Sequence, residues 1–183
     1  TGVDHLGEER TAVCCLSSVN AETYSEWKND ETFIEDIFRF LDNVLEDFIE
    51  RAPSEMDRAI YSAQRERSVG LGLMGFHSFL QSMNVPFESA MAKSWNTRLF
   101  KHIRMGADAA SVTLAEERGA CPDAEEAGMK QRFSHKMAIA PTAFADALCA
   151  VLEPAPIASA LLALALALPP RAVAFAKFAK ALS

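Results

Sequence analysis

Between Phe33 and Ile49 the apolar residues Phe33, Ile34, Ile37, Phe38, Leu41, Val44, Leu45, Phe48 and Ile49 return at every third or fourth position. That spacing draws one apolar stripe down a helix, and a stripe of this length has to be covered by other elements. Asn29 or Asp30 can cap the helix start, acids crowd its first turn where the helix dipole favours them, and Pro53 stops it. Similar reading predicts an apolar helix over 68–83, ended by Asn84-Val85-Pro86, and a long one over 89–118. Trp95, Leu99, Ile103, Val112 and Leu114 supply the buried side of the long helix, and Gly119 suits a left-handed cap after it. Residues 54–67 read as a polar helix or connection and residues 1–10 as a loop. Short β-prone runs at 11–16 and 135–140 read as strands, so the chain is expected to be mostly helical with short strands.

The chain has 183 residues, half of them hydrophobic, which is enough for a domain with a real core. A net charge of −7 argues against a nucleic-acid surface, since such surfaces are basic. The four cysteines, Cys14, Cys15, Cys121 and Cys149, form no CxxC pair, and the four histidines are scattered, so no metal site is expected. So few cysteines fit a reducing cytoplasm, the expected location. The apolar run from Ile157 to Leu168 falls short of the ~20 residues that span a bilayer, so no membrane partner is expected. A chain that opens on Thr1-Gly2-Val3 without Met, and without a signal peptide, reads as a piece of something longer.

Three segments carry chemistry. Thr11-Ala12-Val13-Cys14-Cys15-Leu16-Ser17-Ser18-Val19-Asn20 ends an apolar run on a thiol pair, and a strand there would aim one cysteine inward and the other outward. Gly70-Leu71-Gly72-Leu73-Met74-Gly75 matches the dinucleotide pattern G-x-G-x-x-G, but polar Tyr61–Arg67 precedes it where that fingerprint needs a hydrophobic strand. The structural reading, small residues on a helix that packs closely against a neighbour, is preferred. Met137-Ala138-Ile139-Ala140-Pro141-Thr142-Ala143 runs from a short strand into a turn whose successive N–H groups could cradle an anion. His77 and His102 fall inside helices without partners at metal spacing, and Glu116-Glu117 and Glu125-Glu126 read as solvated faces.

The strings Val-Cys-x-Leu-Ser-Ser-x-Asn, Arg67-Ser68-Val69-Gly70-Leu71-Gly72-Leu73-Met74-Gly75 and Ile139-Ala140-Pro141-Thr142-Ala143, in this order, resemble the catalytic (large) subunit of ribonucleotide reductases. The resemblance covers residues 1–143 and implies part of a ten-stranded α/β barrel. It implies reduction of ribonucleotides to deoxyribonucleotides by thiol radical chemistry, for DNA synthesis. By motif position Cys14 is one of the two thiols that become a disulfide, and Cys15 takes the variable place before Leu16. Pro141, Thr142 and Ala143 would line the substrate phosphates, with Phe144 where the family has Ser. The family's radical cysteine, in Asn-Leu-Cys-x-Glu, would precede Thr1. Its radical comes from a di-metal small subunit in class I or from adenosylcobalamin in class II, neither bound by these residues. The implied partners are the ribonucleotide, the small subunit and the remainder of the catalytic chain. Without that remainder the piece is expected to be inactive.

After Ala143 the composition changes to Ala, Leu and Pro, and residues 144–183 carry a charge of +1 against −8 before them. The resemblance stops there, so 144–183 are expected to be a shifted frame or a fused sequence. The competing reading of the whole is a helical interaction module without chemistry, supported by its amphipathic helices and apolar tail.

Overall fold

The computed structural model describes residues 2–139. Residues 140–183, with Pro141, Thr142, Ala143 and Cys149 and the tail after Ala143, lie outside the described residues. The elements are β1 (Gly2–Val3), β2 (Glu9–Arg10), β3 (Cys15–Asn20), α1 (Tyr24–Trp27), α2 (Phe33–Arg51), α3 (Asp57–Glu66), β4 (Val69–Met74), α4 (Phe76–Ser82), α5 (Ala90–Arg118) and α6 (Pro122–Glu126). A single 3₁₀ turn, Ser54–Met56, leads into α3. The described residues divide into two compact units: residues 2–17 with Ile34–Gly72 and His102–Ala138, and Ser18–Phe33 with Leu73–Lys101.

In the first unit α2 buries the stripe that its sequence draws. Ile34, Ile37, Phe38, Leu41 and Leu45 are all inside, whereas Val44 is exposed. From α5 come Ile103, Ala107, Ala110 and Leu114, and Phe133 packs on Phe38 with ring centroids 5.5 Å apart. Val112, expected on the buried side, faces solvent; small alanines take the close positions instead. Gly119 has φ +89 and its N–H donates to Ala115 O, so it closes α5 in the left-handed conformation its position predicts. Residues 2–10, expected as a loop, form a small antiparallel hairpin with Gly2 opposite Arg10 and Val3 opposite Glu9. The Asp4 carboxylate closes its turn by accepting the N–H groups of Leu6 and Glu8.

Two expected elements change. The strand expected over 11–16 lies at 15–20. Thr11 N–H donates to Arg58 O, which ties the start of the run to α3, and Ser17 and Ser18, which favour turns in isolation, lie in the sheet. The helix expected over 68–83 is strand β4 followed by the short helix α4. Glycine is costly inside a helix, and β4 is buried over Val69–Gly72, as a strand flanked on both sides must be. β4 pairs with β3 on one edge. On the other it meets residues 135–138: Leu71 N–H donates to Lys136 O at 3.0 Å, Ala138 N–H donates to Leu71 O at 3.3 Å, and the Leu71–Met137 bridge is parallel. The extended run expected at 135–140 is thus seen for its described part.

The second unit is built on aromatic residues. Phe79, Leu80, Ala92, Leu99 and Ala21 form its core, with Tyr24, Phe76 and Trp95 against them. Trp27 stacks on Phe33 at 5.3 Å and meets Tyr24 edge-on at 4.8 Å. Asn20 organises the entry to α1: its side-chain oxygen accepts Glu22 N–H and its carbonyl accepts Trp27 Nε1–H. Among the described residues no helix is long and apolar enough to cross a membrane.

Candidate functional site

Cys14 sits immediately before β3, exposed and with a free thiol that points toward Cys15 O at 3.8 Å. What brings it near the other two motifs is the missing side chain of Gly70. A Cβ placed on Gly70 would lie 3.3 Å from Cys14 Sγ, 3.5 Å from Leu16 Cβ and 2.6 Å from Ala138 Cβ. The thiol run, the glycine-rich strand and the segment leading to Pro141-Thr142 therefore converge on one point of the first unit. Glycine is required there by close approach of three chains rather than by a left-handed backbone. The G-x-G-x-x-G reading as a phosphate turn fails on the same ground. Gly70 and Gly72 lie inside β4, whereas the fingerprint places its glycines in the turn after a strand.

The three described cysteines have different surroundings. Burial, then the neighbouring Cys14, pushes the half-buried Cys15 thiol up. Burial does the same to Cys121, which is fully enclosed. Of the three, Cys14 is the exposed one. His77 lies edge-on to Phe87 at 6.0 Å, and burial pushes His102 down. Among the described residues no three His, Cys, Asp or Glu side chains gather to hold a metal ion.

A buried ion network underlies the convergence. Asp42, fully enclosed on α2, accepts hydrogen bonds from Arg67 Nε at 3.0 Å and Nη2 at 2.8 Å, from Arg132 Nε at 3.1 Å, and from Arg118 Nη1 at 2.7 Å. Glu46 adds a second carboxylate 2.7 Å from Arg67 Nη1. Burial works to raise the Asp42 carboxyl, but the hydrogen bond from Arg132 and the charges of Arg67 and Arg132 outweigh it and hold it below the usual carboxylate range. Arg132 also donates to the carbonyls of Arg118 and Gly119, satisfying the open end of α5. The sequence reading above passes over Asp42. Its signal is an acid on the apolar stripe, four residues after Phe38 and three before Leu45.

A second, more exposed cluster joins the hairpin to α3 and α6. Arg10 reaches Asp4 at 2.9 Å and Asp123 at 2.5 Å, and Tyr61 Oη donates to Asp4. Arg65 Nη2 makes ion contacts of 2.7 Å with Asp123 and Glu126, without the alignment of a hydrogen bond. Some burial acts to raise Asp4, yet the Glu8 N–H, Arg10 and the Leu6 N–H hold it down at about 2. The shallow depression lined by Asp4, His5, Arg10, Asp123 and Glu126 is thus filled with charges already paired to one another.

Residues 4–147 match the family model described as ribonucleotide reductase, barrel domain. The chain is 50% identical over 134 residues to the ribonucleoside-diphosphate reductase large subunit of Invertebrate iridescent virus 6, covering 73% of this chain and 14% of that protein. It is 36% identical over 115 residues to the vitamin B12-dependent ribonucleoside-diphosphate reductase of Mycobacterium tuberculosis, covering 60% of this chain and 16% of that protein. The structure of the Actinobacillus ureae class Id ribonucleotide reductase alpha subunit superposes with a TM-score of 0.68 at 38% identity, over 73% of this chain and 26% of that one. The chain thus spans between about a seventh and a quarter of the length of the curated relatives it matches. With Cys14 and Ala138 meeting at Gly70 and the family match running over residues 4–147, this chain belongs to the ribonucleotide reductase family and is a portion of the reductase barrel.

Proposed function

We propose that this chain serves, as part of a ribonucleoside-diphosphate reductase catalytic subunit, in reducing ribonucleotides to deoxyribonucleotides, and that Cys14 is one of its two reducing thiols. The observation that carries the reading is the exposed, free Cys14 thiol against Gly70, next to the strand that runs into Pro141-Thr142-Ala143. The net step replaces the C2′–OH of the ribose by C2′–H. Two thiols give two electrons and two protons, become a disulfide, and the hydroxyl leaves as water. Cys14 contributes one sulfur. Thr142 and Ala143 hold the substrate phosphates, through their backbone N–H groups and the Thr142 hydroxyl, and Pro141, which has no N–H to give, sets the turn before them. The initiating radical comes from outside the described residues. The names of the relatives support two sources: vitamin B12 for the mycobacterial protein, and a partner to the subunit named alpha in Actinobacillus ureae.

The test is deoxycytidine diphosphate formation from cytidine diphosphate by the assembled reductase, with dithiothreitol as the final reductant. Cys14→Ser reduces turnover to background, because a hydroxyl cannot carry the electrons, whereas Cys15→Ser leaves it within a few-fold. Turnover by Cys14→Ser equal to the parent would remove Cys14 from the reaction. A single turnover without reductant, followed by peptide mapping, should recover Cys14 in a disulfide.

A further inference from the structure

We infer that Asp42 is a positioning residue for the Cys14 site: its carboxylate fixes the relative placement of the two strands that meet beside the thiol. The inference rests on the reading of Cys14 given above for its importance, but its geometry stands alone. Arg67 ends α3 and leads directly into β4, with Gly70 three residues on. Arg132 precedes the other strand, with Ala138 six residues on. The two arginines reach the same Asp42 oxygen, Oδ1, at 2.8 and 3.1 Å. One buried atom thus ties the roots of both strands. Their main chains then zip together, through Ser134 N–H to Glu66 O at 3.0 Å and Val69 N–H to His135 O at 3.1 Å.

The backbone of Arg67 requires such a tether. Its φ of +43 is left-handed, an uncommon conformation for a residue with a side chain, and it turns the chain from α3 into β4. Val69 and Leu71 set the register of β4 along 135–138 from one face only, because glycines at 70 and 72 leave the other face without side chains. The paired guanidiniums add a fixed point at the root of both strands. At the far end of this arrangement Cys14 Sγ and Ala138 Cβ lie 3.3 and 2.6 Å from one common point, so they are within 6 Å of each other. A slip of one residue, about 3.3 Å along a strand, would carry Ala138 away from the thiol.

Arg118 provides the control. It also bonds Asp42, at 2.7 Å, but it ends α5 and leads into neither strand. The experiment uses the full chain carrying Ala138→Cys and Cys15→Ser, and the probe is dibromobimane, which fluoresces strongly when it bridges two nearby thiols. Into this background go Asp42→Asn, Arg132→Gln and Arg118→Gln, with circular dichroism melts at the labelling temperature as the check on folding. The expected result is a severalfold loss of bridging between position 138 and Cys14 in Asp42→Asn and Arg132→Gln. Arg118→Gln, though its melting temperature falls, keeps bridging at the parent rate. Bridging that is unchanged in Asp42→Asn and Arg132→Gln overturns the inference, as does bridging that falls in all three in proportion to melting temperature. Should Asp42→Asn not fold, Arg132→Gln against Arg118→Gln decides alone. Because the readout is proximity and not turnover, its failure is separate from any failure of Cys14 as a reducing thiol.

Discussion

Gly75 is the position where a single atom matters most in the second unit. Its φ is +68, and a Cβ there would run into the side-chain oxygen of Asn20, which is engaged with Glu22 N–H. Gly75→Ala therefore combines a left-handed alanine with a broken turn, at a cost of about 2 kcal/mol. A urea unfolding curve should show the loss as a lower midpoint at unchanged slope; a midpoint equal to the parent's would mean that Asn20 moves aside freely. At this scale the sequence was legible where chemistry is local. Gly119 could be placed by its position after a helix. Asp42 could not, because its partners lie 25, 76 and 90 residues away and no short-range rule connects them. Gly70 was visible as a glycine, but its reason, three chains at one point, belongs to tertiary structure.

Among the elements, α2 and α5 approach each other closely at Gly106. A Cβ at that site would lie 2.8 to 3.1 Å from three carbons of Ile34, including its branched Cβ. Alanine would improve helix propensity by about 1 kcal/mol, but overpacking against a branch that cannot swing away costs about 1–3 kcal/mol. The second effect wins, so Gly106→Ala destabilises. Ile34→Ala, which alone opens a cavity, should partly relieve it, and a double-mutant cycle should return a coupling of about 1 kcal/mol or more. Additive losses would mean that the helices separate to absorb the methyl group. Helices with long apolar stripes were readable, α2 and α5 within a few residues. β4 was not, because glycine, leucine and methionine carry no period that separates a doubly covered strand from a helix. The start of β3 was misplaced because serines that favour turns in isolation are carried by pairing in the sheet.

For the whole molecule, acid is the informative perturbation. Asp4, Asp42 and Asp123 all have carboxyls held below the ordinary value of about 3.9, for Asp123 first by the hydrogen bond from Arg10. Groups with depressed values stabilise the fold fully above that ordinary value. The contribution is lost as pH falls through the folded values, down to about 2 for Asp4. Stability should thus hold between pH 7 and about 5, then decline steeply below about 4. Urea midpoints measured down the pH scale would show it, and a midpoint flat to pH 2.5 would refute the linkage. Asp42→Asn should flatten part of that acid slope.

The same carboxylate bears on the order in which the chain can assemble. Asp42 leaves the ribosome 25 residues before Arg67 and long before Arg118 and Arg132, so for much of its synthesis the first unit holds this carboxylate, on the apolar stripe of α2, with one of its three arginine partners. Until residue 132 is available, burying that stripe strands an undersatisfied ion, and water keeps the helix open. Complete burial of the stripe is thus expected to wait until Arg132 is synthesised. A nascent chain halted before Arg132 should present α2 as a surface for chaperones.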